Sequence, residues 1–123
     1  MILEAALYYN GILMIIFGFI LLLTTTVANK MLQRAGINSK DYTERNYMIY
    51  RISGIWVITA GVVCTYVTYY LELKYQKLVC ILMIIAHITE IIVKKIGIPE
   101  SGASFFFANG HLALILITSL IFS

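Results

Sequence analysis

The stretch AALYYNGILMIIFGFILLLTTTV, residues 5–27, carries no charge over 23 positions. A bilayer core of about 30 Å takes about 20 helical residues at 1.5 Å each, so this segment is long enough to cross one. Three further stretches read the same way: Met48–Leu71, Lys77–Ile96 and Ala103–Phe122. Between them lies one polar segment of any length, Lys30–Tyr47. The expected fold is all-α, an integral membrane antiparallel four-helix bundle forming a single domain over residues 1–123. With 61% hydrophobic and 12% charged residues, the chain is far more apolar than a soluble domain. Such a bundle encloses little volume, so a channel or carrier built from it needs a second copy.

The location of charge says more than the net +3. Lys30, Arg34, Lys40, Arg45 and Arg51 cluster at the first connection, and Lys94 and Lys95 precede the third. Only Lys74 and Lys77 lie at the second. Cytoplasmic connections collect Lys and Arg. The expectation is a plasma-membrane protein with the 30–47 loop in the cytoplasm and both ends of the chain outside. The basic loop also suits anionic lipid; nothing suggests nucleic acid. Residues 1–27 lack a basic leader and a cleavage site, and Glu4 stands near the start, which argues against a signal peptide.

Local signals set the helix ends. Gly36-Ile37-Asn38-Ser39 reads as a turn. Asp41 and Glu44 suggest a cap, with the second span starting near Tyr42. Gly97 and Pro99 are expected to stop the third span, with a hairpin about Glu100. Tyr8, Tyr9, Tyr66, Tyr69, Tyr70 and Tyr75 suggest an aromatic belt at the outer interface. Gly11, Gly18 and Thr25 are seven apart, as are Gly54, Gly61 and Thr68. That spacing puts small residues on one helix face, where backbones approach closely.

The third span holds the polar residues of most interest. Cys80, His87 and Lys94 are seven apart, and Glu90 follows His87 by three. If the last two spans form a hairpin about Glu100, residues at equal depth sum to about 200, which matches Glu90 with His111 and Asn109. His87, Glu90, Asn109 and His111 are therefore expected to form one polar cluster at mid-membrane, with Lys94 one turn below. Ionisable groups there are costly unless paired or facing a cavity. A Glu–His pair suits a proton-linked carrier. Two structural alternatives stand beside it: Glu90 paired with a snorkelling Lys94, and the histidines as interhelical hydrogen-bond partners. Two histidines and one carboxylate match zinc ligands, but no second acid exists as a base, so neither a metal site nor a cofactor is expected. Cys64 and Cys80 read as buried small hydrophobes, with a disulfide between them as the lesser option. Enzyme motifs for zinc hydrolysis, nucleophile elbows or phosphate loops are missing.

Asn29-Lys30, the Gly36–Ser39 turn, Asn46 and Arg51-Ile52-Ser53-Gly54 together resemble a pattern in the small multipass SdpI/YfhL-type toxin-immunity family. The resemblance covers about a quarter of the chain. A tryptophan expected before the loop asparagine is absent, and Tyr42 or Thr43 occupies that region. The family implies a binding or signalling role. Two functions follow: a non-enzymatic membrane protein that binds a partner, as an immunity, regulatory or accessory subunit; or a small carrier or channel, dimeric, using Glu90 with His87 and His111.

Overall fold

A computed structural model describes residues 2–97 and 103–123. These residues are almost entirely helical: α1 (Ile2–Leu23), α2 (Thr26–Arg34), a 3-10 turn (Ser39–Asp41), α3 (Glu44–Tyr70), α4 (Leu73–Gly97) and α5 (Ala103–Ile121). The all-α class is as expected. α1 and α3 are long and apolar enough to cross a membrane. α4 has the length but carries Lys77, Glu90, Lys94 and Lys95, and the apolar run Phe106–Ile121 is shorter.

The first span does not run on to Val27. The Ile20 carbonyl accepts from both the Thr24 N–H at 3.1 Å and the Thr24 hydroxyl at 2.7 Å, and the regular helix ends there. Three successive β-branched threonines disfavour helix there. The chain restarts as α2, which buries Ala28, Met31 and Leu32 and leaves Lys30 and Arg34 exposed.

The start of α3 also differs from expectation. Thr43 is its N-cap, and Thr43 and Asn46 form a reciprocal capping box. The Asn46 side chain accepts from the Thr43 backbone N–H at 2.9 Å, and the Thr43 hydroxyl accepts from the Asn46 N–H at 3.3 Å. Asp41 lies instead in the 3-10 turn, which Asn38 caps. Gly36 has φ +78°, a left-handed conformation that glycine adopts without steric penalty. Asn29 ties this region together. It accepts from the Tyr47 hydroxyl at 2.9 Å, donates to Thr25 Oγ1 at 3.3 Å, and its carbonyl accepts from the Tyr42 hydroxyl at 3.4 Å.

α1 and α3 make the most extensive helix pair, and α4 pairs chiefly with α5. The two glycine sets face each other across the first pair. A Cβ on Gly61 would lie 2.6 Å from the Gly11 carbonyl oxygen, and one on Gly54 would lie 2.6 Å from that of Gly18. Backbone therefore meets backbone at two levels seven residues apart. Leu3, Ala6, Leu7, Cys64, Cys80 and Leu116 form the buried core towards one end. Both cysteines are free thiols; their S–H groups point at the Leu7 and Leu116 carbonyls. The short α3–α4 turn is pinned by Gln76, whose amide donates to the carbonyls of Thr68 and Leu71 at 3.1 and 3.0 Å. In this region the Tyr70 ring meets Tyr66 tilted and Tyr69 edge-on, with centroids 4.6 and 4.7 Å apart. α4 ends at Gly97; Pro99 and the Glu100 turn lie outside the described residues.

Candidate functional site

His87, Glu90, Lys94, Asn109 and His111 each find a partner, though not as one cluster. His87, on α4, is 4% exposed and sits between two amides. Its Nδ1 lies 3.0 Å from Asn109 Oδ1 on α5. Its Nε2 lies 2.7 Å from Asn10 Oδ1 on α1. Asn10 is fully buried and Asn109 nearly so. One imidazole thus joins three helices.

The proton count at this ring carries chemistry. A neutral imidazole has one N–H and one lone pair, so it satisfies only one of two facing carbonyl oxygens. The second is satisfied when the ring gains a proton, or when an amide turns over. Asn10 is suited to turning, because its NH2 faces only the Met14 and Cys64 sulfurs, at 3.3 and 3.7 Å. Sulfur is a weak acceptor. Turned over, the amide would donate to the ring.

Glu90 does not join His87. It closes on Lys94 one helical turn away at 3.0 Å. His111 likewise stands apart: its Nδ1 donates to the Phe107 carbonyl at 3.1 Å, which leaves Nε2 to accept from the Tyr9 hydroxyl at 3.2 Å. The Phe107 ring stacks on His111 at 5.5 Å between centroids. Among the described residues, no three His, Cys, Asp or Glu side chains gather as metal ligands would.

What these residues share is a cavity. A hollow of about 480 Å³ has His87, Glu90, Asn109 and His111 in its lining. Its walls are apolar, with Leu13, Ile16, Phe17 and Ile20 of α1. Lys30 and Arg34 of α2 complete it. The remaining residues of the basic segment are dispersed: Lys40 is in the 3-10 turn, and Arg45 and Arg51 are on the first turns of α3, Arg51 lying 3.9 Å from Glu44. A second hollow, about 630 Å³, lies over the loop between Asn29, Gln33, Asn38, Tyr42 and Tyr47.

Asn10 is the site residue that sequence reasoning missed. It is the lone amide in an otherwise apolar segment, and a buried amide in such a place needs a partner; that was the available signal. Comparison with protein families, curated proteins and solved structures returned no match.

Proposed function

We propose that this chain is a non-enzymatic integral membrane protein that spans the plasma membrane four times, through α1, α3, α4 and α5, and acts by binding a partner within the bilayer. An immunity, regulatory or accessory role fits this reading, with a second copy or another membrane protein as the partner. Large apolar side chains exposed all round support lipid contact: Trp56 is 70% exposed, Leu114 65% and Ile121 72%, far more than a water-soluble monomer of this size tolerates. The basic asymmetry supports a cytoplasmic 30–47 loop with both ends outside. A reporter fused at Ser39 should read cytoplasmic, and one after Ser123 external; a cytoplasmic reading at Ser123 refutes that topology.

The observation that carries the binding reading is the pairing of the polar groups beside an apolar cavity. His87 and His111 are each held by two neighbours, and Glu90 is closed on Lys94. Such groups orient helices and shape a pocket. A proton-linked carrier or channel is the second reading, favoured by Glu90, His87 and His111 lining the same cavity. Reconstitution into liposomes with an internal pH-sensitive dye separates the two. A binding protein gives no proton flux above protein-free liposomes, and a photo-crosslinking residue at Trp56, exposed and outside the cavity lining, gives a discrete protein adduct in cells. Flux that disappears in Glu90→Gln would overturn the first reading in favour of the second.

A further inference from the structure

Lys30 and Arg34 are one helical turn apart on α2 and both are exposed. Among the described residues no carboxylate lies within ion-pair distance of either. With Val27 and Met31 they form a single stripe at helical spacing that lines the cavity. On the other side, Leu13, Ile16, Phe17 and Ile20 follow the i, i+3, i+4, i+7 pattern of one α1 face. That face gives an apolar wall about 10 Å long at 1.5 Å per residue. The wall begins at Ile20, the end nearer α2 in the chain, and runs away from the cations. One cavity thus has two exposed cations and a largely apolar lining, with His87, Glu90, Asn109 and His111 as its other polar groups. Its 480 Å³ volume falls within the roughly 300–1,000 Å³ range of small-molecule sites. Glu90, the carboxylate in the lining, is offset by Lys94 at 3.0 Å, so it leaves the charge of Lys30 and Arg34 in place.

We infer that this cavity holds an anionic phospholipid, its phosphate between Lys30 and Arg34 and one acyl chain along the α1 wall. The chemistry selects this occupant. α2 follows the end of a membrane-length helix and has a buried apolar side with exposed cations, the arrangement of a helix lying at the headgroup level. Cations there meet lipid phosphate, and the apolar wall then continues at the depth of the acyl chains. The inference rests on the proposed membrane placement and names the ligand of the cavity already described.

The test is native mass spectrometry of the full chain in mild detergent, after exchange into equal amounts of phosphatidylglycerol and phosphatidylcholine. The wild type should retain one phosphatidylglycerol in preference to phosphatidylcholine. The double variant Lys30→Gln/Arg34→Gln should lose about 30-fold in that preference, since each surface cation contributes about 1 kcal/mol towards an anionic lipid. Lys40→Gln/Arg45→Gln removes the same charge outside the cavity and should keep it. Ile16→Trp narrows the apolar wall and should lower lipid retention. Circular dichroism of each variant confirms folding. Equal retention of the two lipids, equal loss in the Lys40/Arg45 control, or unchanged retention in Ile16→Trp overturns the inference. So does added oleate bound in place of phosphatidylglycerol, which would identify a free fatty acid. If phosphatidylglycerol is not preferred but the Trp56 crosslink persists in membranes, the lipid fails and the binding reading stands. A chain that does not partition into membranes refutes both.

Discussion

Gly61→Ala adds one methyl group where the structure leaves no room for it. The new Cβ would lie 2.6 Å from the Gly11 carbonyl oxygen, 2.9 Å from Ile15 Cγ1 and 3.0 Å from the Ile15 backbone nitrogen. Two of these atoms are backbone, so rotamer changes cannot relieve the contact and α1 must move away from α3. Overpacking of this kind costs about 1–3 kcal/mol. The same substitution gains about 1 kcal/mol of helix propensity, so its net effect is a loss of roughly 0–2 kcal/mol by the difference of these ranges. Gly110→Ala isolates the propensity gain, because Gly110 is inside α5 and a Cβ there meets nothing within 4 Å. The stability gap between the two variants therefore reports the close approach alone, about 1–3 kcal/mol. Thermal or denaturant unfolding in one detergent measures it. Gly36 would be a poor control, since its φ of +78° penalises any side chain. Gly11→Ala with Gly61→Ala should cost less than the sum of the singles, because the first substitution already separates the helices. If Gly61→Ala is as stable as Gly110→Ala, the α1–α3 backbone contact is not as described.

Three further outcomes are expected. Asn10→Leu keeps the side-chain size but leaves His87 Nε2 without its partner, and should destabilise by about 1–3 kcal/mol; an unfolding midpoint equal to wild type would mean the three-helix junction carries no stability. Glu90→Gln removes the carboxylate 3.0 Å from Lys94 and should destabilise by about 3–5 kcal/mol in a membrane-spanning helix, less where Lys94 snorkels to water; an unfolding midpoint equal to wild type in the same assay would contradict that. Asn29→Ala removes the acceptor of the Tyr47 hydroxyl and the link to Thr25, and should speed proteolysis between residues 35 and 43 without lowering the main unfolding transition; unchanged cleavage would show that Asn29 does not hold the loop.

Helix positions were largely legible in the sequence because they follow from local rules. Apolar runs of membrane length, Gly97 and the polar loop bracket α3, α4 and α5 to within a few residues. The break at Thr24 was harder, since β-branched threonines lower helix preference only slightly within a run that hydropathy reads as continuous. The glycine heptads announced two close-packing faces, but that Gly11 meets Gly61 and Gly18 meets Gly54 depended on how α1 and α3 dock.

The polar residues show where reading the sequence stops. Counting at 1.5 Å per residue fixes depth along a helix, and depth alone brought His87, Glu90, Asn109 and His111 to one level. It does not fix rotation about the axis, where each residue turns the side chain by about 100°. The structure matched His87 with Asn109 and added Asn10 from α1. It turned His111 to Tyr9 and left Glu90 to Lys94. Composition and charge order determined that the chain is helical and where its basic residues fall. The tertiary structure alone decided which amides face one imidazole and which cations face a cavity, because those contacts depend on the relative rotation of helices packed side by side.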